Sequence, residues 1–227
     1  MVDKIYPYRF EIFFISLITI LFGAIFFPNK LIEDILSPIL FIINFLSGIL
    51  MISKTKKLRR LFLFLLAIII IVFYRAQVLK DQTNSNDFVR LAAYFVFYVT
   101  VTSELIKQVW KSKIITKNII IGLMSGYICL GLIGFFIFLA IEISSPGSFT
   151  VANLNLHEST SQVDSFLYFS YITLLTIGYG EITPVTLIAQ KATIITGLAG
   201  QFYMVILTAI VVGKYISQSV IRDEKSN

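Results

Sequence analysis

The sequence has little of what a soluble protein needs and little of what most metal sites need. Only 14% of its 227 residues are charged, against about 25% in a typical soluble domain. It has one cysteine, Cys129, and one histidine, His157. No intrachain disulfide is available, and a zinc site of the usual Cys and His ligands is excluded. There is one tryptophan, and there are five prolines. What is abundant is apolar: 57% of the chain, with a mean hydropathy of +0.85. These figures argue against a water-soluble enzyme, a nucleic-acid-binding domain or a disordered chain.

A helix crossing a bilayer core needs about 20 apolar residues. Six stretches approach that length: 10–27, 35–52, 58–79, 88–110, 118–141 and 185–215. The first is preceded by Lys4 and Arg9, as a signal peptide would be, but Pro28-Asn29-Lys30 stands after it in place of a small-residue cleavage site. It is read as a retained helix ending at Pro28-Asn29. No stretch is left for a cytosolic ligand-binding domain. The expected class is therefore an all-α membrane protein with six transmembrane helices.

The net charge of +6 becomes informative once it is placed. The loop between the second and third spans carries Lys54, Lys56, Lys57, Arg59 and Arg60, which puts it, and both termini, on the cytoplasmic side. Of the 19 basic residues, only Lys30, Arg75, Lys80, Arg90 and Lys191 then fall outside. Acidic residues such as Glu33, Asp34, Asp81, Asp87, Glu142, Glu158, Asp164 and Glu181 gather on the outer side. The expected location is the cell membrane, in a multi-pass topology. Residues 104–117 mix lysines with Ile106 and Trp110, which leaves two readings open. One is a helix lying at the cytoplasmic interface; the other is a plain helix end with flanking lysines.

The gap 142–184 is divided in composition. Residues 142–163 are polar and turn-rich, as an outer loop should be. The stretch from Asp164 then predicts a short helix over 164–175, with Asp164 or Ser165 as its N-cap. That helix is too short to cross, so it must be re-entrant. Irregular backbone after it must line a water-filled cavity or be buried in protein. The next residues are Thr176-Ile177-Gly178-Tyr179-Gly180. Glycines at alternate positions permit alternate backbone handedness, which turns successive carbonyls to one side. A row of carbonyls facing a narrow axis replaces the water shell of a cation. One chain supplies one row, so several chains must meet in closed cyclic symmetry.

The run from Thr173 through Gly180 resembles the signature of the tetrameric P-loop potassium channel family, and the likeness extends over about 118–215. The resemblance implies a homotetramer in the lipid bilayer that conducts K+ passively, with no enzymatic step, no organic cofactor and no nucleic acid. It implies a pore domain over 118–227, with an outer helix at 118–141, a pore helix at 164–175, a filter at 176–180 and an inner helix at 185–215. Residues 1–117 would be a four-helix, voltage-sensor-like scaffold. It assigns K+ coordination to the carbonyls of Thr176, Ile177, Gly178 and Tyr179 and to the Thr176 hydroxyl. Gly180, Glu181, Thr173, Tyr168 and Phe169 would support the filter, with Tyr179 packed against the pore helix. Gly200, 20 residues after Gly180, would be the gating hinge or a close helix contact. Met204, Leu207, Ile210 and Val211 would line a constriction or simply pack.

The sequence departs from the family in four places, one being that Tyr168 and Phe169 stand in where the family's usual aromatic support includes Trp. Some prokaryotic members carry Glu at the position of Ile172, so pairing of that residue with the post-filter acid is absent here. Glu181 comes after the filter where Asp is more common. Thr183 stands where an aromatic residue accompanies tight external block by tetraethylammonium. A voltage sensor needs cations at three-residue spacing, but steps from Arg90 give Ala93, Val96, Val99 and Thr102. The fourth span is therefore expected not to sense voltage, and gating is left to the filter, lipid, tension, pH or a separate partner. Two other functions compete: a potassium transporter membrane subunit, and a non-conducting modulatory channel subunit. A single-chain transporter needs four pore loops, whereas this chain has one.

Overall fold

The computed structural model describes residues 5–23, 37–52, 56–78, 84–112, 114–151 and 162–224. Lys4, Pro28-Asn29, Lys54, Lys113, His157 and Lys225 lie outside the described residues, so the readings that rest on them do too. After a short 3-10 turn at Tyr6–Tyr8 come α1 (Arg9–Phe22), α2 (Ser37–Met51), α3 (Lys56–Val78), α4 (Asn84–Lys111) and α5 (Lys117–Ser144). The outer segment then supplies β1 (Phe149–Val151), α6 (Gln162–Leu174) and β2 (Ile182–Pro184). The last helix is α7 (Leu187–Phe202), a π-helical segment (Tyr203–Leu207) and α8 (Thr208–Glu224) in one continuous rod. Among the described residues, Phe88–Lys111, Lys117–Ser144 and Leu187–Ser219 are long and apolar enough to cross a bilayer.

Three expectations need correction. Residues 104–117 form no separate interfacial helix, because α4 runs unbroken to Lys111. Tyr98, Thr102, Leu105 and Val109 are all buried. Spaced at helical intervals, they continue one packed stripe along α4, so nothing in the packing favours a break at residue 104. The short outer helix begins at Gln162, earlier than the predicted 164, which puts Asp164 in its first turn and removes Asp164 and Ser165 as N-caps. The inner rod runs on to Glu224, beyond the expected end at 215.

Five residues, 112–116, join α4 to α5, so the two lie as antiparallel neighbours. Aromatic rings bind them. Phe136 of α5 stacks on Tyr94 at 5.5 Å and on Tyr98 at 5.7 Å. Phe97, on the next face of α4, stacks on Phe45 of α2 at 3.9 Å. Such offset ring pairs add to the burial of large apolar area. The four-helix half thus packs on the outer helix of its own chain.

One polar cluster sits inside this half. Asn44 is fully buried; its amide donates to Ser16 Oγ at 2.9 Å, and its carbonyl accepts from the Tyr98 hydroxyl at 2.8 Å. Ser47 Oγ closes the set at 2.9 Å from Ser16 Oγ. The network ties α1, α2 and α4 in register without any ionised group. Tyr98→Phe removes one donor and leaves the Asn44 carbonyl buried and unpaired, which costs about 1–3 kcal/mol. A thermal melt of the purified variant should show the loss.

Candidate functional site: the loop between α6 and α7

The site is built on α6. Three contacts hold this helix to α5. The Tyr171 hydroxyl donates to Ile128 O at 2.7 Å, Ser170 Oγ donates to Gly131 O at 2.5 Å, and the Tyr127 hydroxyl donates to Leu174 O at 3.2 Å. Glycines at 131 and 134 make room: a methyl at Gly131 would overlap the Tyr171 ring, and one at Gly134 would meet Ser170 Oγ. Tyr127, Ser170 and Tyr171 were not singled out from sequence. The glycines spaced along α5 are the signal that close neighbours were to be expected.

The end of α6 determines the loop. Its last carbonyls lack helical partners, and the loop amides take them up. Thr176 N donates to Thr173 O at 3.0 Å, Ile177 N to Ile172 O at 2.8 Å, and Gly178 N to Ile172 O at 3.2 Å. Thr173 therefore serves through its backbone. Thr176 has φ 58°, Gly178 φ 56° and Gly180 φ 93°, so the left-handed residues alternate through 176–180. Two of the three are glycines, which adopt this region freely. Thr176 is β-branched, and its positive φ is an outlier of the kind found at functional sites. With these amides turned back to α6, the loop presents its opposite edge outward.

Tyr168 and Phe169 are adjacent but serve different neighbours. Tyr168 lies near the Glu181 carboxylate just past the loop, and interaction with that carboxylate pushes its phenol up to about 12. Phe169 points the other way, 4.9 Å from the Phe138 ring and 5.5 Å from the Phe149 ring. Tyr179 is 73% exposed, so within one chain its ring is not packed against α6. The loop then returns through β2, which pairs antiparallel with β1, Thr183 opposite Thr150. Glu142 folds the outer segment back by accepting from the amides of Gly147 at 2.7 Å and Phe149 at 3.2 Å. Thr186 caps the inner helix, its hydroxyl accepting from Ala189 N at 3.3 Å.

Gly200 is buried where the inner helix crosses the end of α6, and a Cβ there would stand 2.5 Å from Leu174 O. This is a close helix contact. Gly126 similarly receives Tyr203, whose hydroxyl donates to Leu123 O at 2.6 Å. Its partner in the spacing Gly122-x-x-x-Gly126, Gly122, faces Phe10 and Leu105 instead. Leu207 is buried with Tyr203 and Val109, and Ile210 and Val211 pack against them, so these three face their own chain; Met204 is half exposed. Only 22% of the apolar window of Leu187–Ser219 is buried, against 56% for Lys117–Ser144. The inner helix and the loop thus present a large apolar face that one chain does not cover.

Among the described residues, no cluster of His, Cys, Asp and Glu is arranged to hold a metal ion. Any cation bound at this loop would be met by backbone and hydroxyl oxygens. Residues 123–217, which include the outer helix from Leu123, α6, the loop and most of the inner rod, match the family model described as "Ion channel". No curated protein and no solved structure matches the chain. Over the matched stretch the chain is similar to ion channels, and its apolar helices make it a membrane protein.

Proposed function

We propose that this chain is the subunit of a homotetrameric, potassium-selective channel in the cell membrane. The alternating handedness at Thr176, Gly178 and Gly180 carries the reading, together with the return of the Thr176, Ile177 and Gly178 amides to α6. That conformation suits a backbone whose carbonyls face one side. In the proposed assembly, the carbonyls of Thr176, Ile177, Gly178 and Tyr179 and the Thr176 hydroxyl from each chain replace the hydration shell of K+. Glu181 places a carboxylate from each chain at the outer mouth, concentrating cations there. The exposed Tyr179 and the uncovered face of the inner helix meet neighbouring chains. The chain crosses the bilayer six times with both ends cytoplasmic. Helix α4 carries no repeating cations and leaves gating to something other than its own charge.

Binding linkage gives a test. Potassium that binds only the assembled filter stabilises the tetramer, and sodium at the same ionic strength does so far less. Dissociation of the purified protein in detergent, followed against temperature, is expected to shift upward in potassium. Equal midpoints in the two salts, or a protein that never runs as a tetramer, would contradict the proposal.

Tyr168→Phe tests the support of the outer mouth. Losing the hydroxyl beside the Glu181 carboxylate is expected to lower rubidium flux in liposomes by roughly fivefold. With its phenol pushed up to about 12, Tyr168 stays neutral beside Glu181 at pH values where an ordinary phenol of about 10 ionises. Wild-type flux is accordingly expected to hold steady as external pH rises to about 10.5.

A further inference from the structure

The inner rod is not one uniform helix. Residues Tyr203–Leu207 wind as a π-helix between two α-helical stretches. A π turn closes i to i+5, so it holds a residue more than an α turn would. Both sides of the segment are tied down. Above, the Tyr203 hydroxyl is bound to Leu123 O in the notch at Gly126. Below, Lys214 Nζ donates to three carbonyls at the C-terminal end of α4: Val109 O at 3.0 Å, Trp110 O at 2.7 Å and Ser112 O at 2.8 Å. One turn further on, Gln218 Oε1 accepts from Ile115 N at 3.0 Å. An ammonium placed on the last carbonyls of a helix satisfies groups that have no helical partner and meets the negative end of the helix dipole.

These two features depend on each other. If Tyr203–Leu207 tightened to α-helix, the surplus residue would pass into α8. Everything below would turn by about 100° and shift by about 1.5 Å. The place of Lys214 would go to a sequence neighbour, Gly213 or Tyr215, and neither carries an ammonium. The lysine cap fits only while the segment above it is π-helical.

We propose that the inner rod is a two-state register switch. Its π register is held by the Lys214 cap on α4, and its α register turns the lower rod and exchanges the residues facing the pore axis. The four-helix half then acts on the pore through the position of its α4 carbonyls, with no need of charge moving in the membrane. The proposal rests on the channel reading for its consequence, but the register itself is read without any ion flux.

The test uses the full-length protein in liposomes, with single replacements Thr208→Cys through Val212→Cys labelled by a water-soluble thiol reagent. Cys129 is fully buried and gives no background. In the wild-type background, the reagent is expected to mark the positions among these that face water and to spare Ile210 and Val211, which pack within the chain. Lys214→Met keeps the aliphatic stem and removes the donors. It is expected to move the equilibrium by about tenfold or more and to shift the labelling pattern by one residue. Lys214→Arg is expected to restore the original pattern. Deleting Val205 removes the surplus residue, so Lys214→Met on that background should leave the pattern where it was. Unchanged labelling in Lys214→Met would overturn the proposal. So would the same shift in the deletion background, where no alternative register exists. A protein that labels as expected but passes no potassium would refute the channel reading and leave the switch standing.

Discussion

Gly178→Ala is expected to lower potassium-selective flux by roughly a thousandfold or more, with the protein still folded. Gly178 sits at φ 56°, and a Cβ built there meets nothing within 4 Å. Space is therefore not the obstacle. The cost is conformational: about 1–2 kcal/mol for each L-residue forced into the left-handed region. In the proposed tetramer all four chains must adopt this geometry together, so the penalties sum to about 4–8 kcal/mol, at about 1.4 kcal/mol per tenfold. The relief available to each chain is to flip a peptide, which turns one carbonyl away and breaks the ring. Gly197→Ala is the control. Its nearest neighbour is Thr173 O at 3.9 Å, and its φ is ordinary for a helix, so alanine there should leave flux close to wild type.

The second large effect concerns Gly200 and has opposite signs under two accounts. In a helix interior, alanine is favoured over glycine by about 1 kcal/mol, so a residue serving only as a hinge should raise the melting temperature when replaced. The structure places a backbone atom, Leu174 O, 2.5 Å from where the new methyl would stand. A carbonyl at the end of α6 cannot move aside as a side chain does, and it also accepts the Tyr127 hydroxyl. Overpacking of this kind costs up to about 3 kcal/mol, which leaves a net loss of about 2 kcal/mol after the propensity gain. For a chain of this size that lowers the melting temperature by roughly 4–8 °C. A rise instead would return Gly200 to the hinge role. Because Leu174 O lies directly before the loop, the same displacement should also reduce flux.

Much of this was legible in the sequence, for reasons that are local. The apolar stretch now seen as α5 is long enough to announce a span without any neighbour. The loop is legible because glycines at 178 and 180 are the cheapest way to write alternating handedness. The absence of cations at three-residue steps after Arg90 is equally a matter of reading along one helix. The features that stayed hidden are set by partners distant in the chain. The three-residue strands β1 and β2 have too few residues for a period and one ends in Pro184, so their pairing is made by the Glu142 turn. No propensity in Tyr203–Leu207 asks for a π-helix; its ends are fixed by Leu123 above and the α4 carbonyls below. The end of α4 was not marked in the sequence because lysines flank both an interfacial helix and a plain helix end, whereas the stripe that keeps α4 continuous, through Leu105 and Val109, is set by packing against the rest of the chain. Thr176 is the one left-handed position among the loop residues that a glycine did not mark.

This loop, repeated around an axis, is proposed to pass potassium and refuse sodium. Its most direct test is the flux of rubidium and of sodium into liposomes holding the purified full-length protein, each driven by the same gradient. Rapid rubidium uptake that excess external potassium competes away is expected, with sodium uptake no faster than in protein-free vesicles. Equal entry of the two ions, or entry of neither, would contradict it.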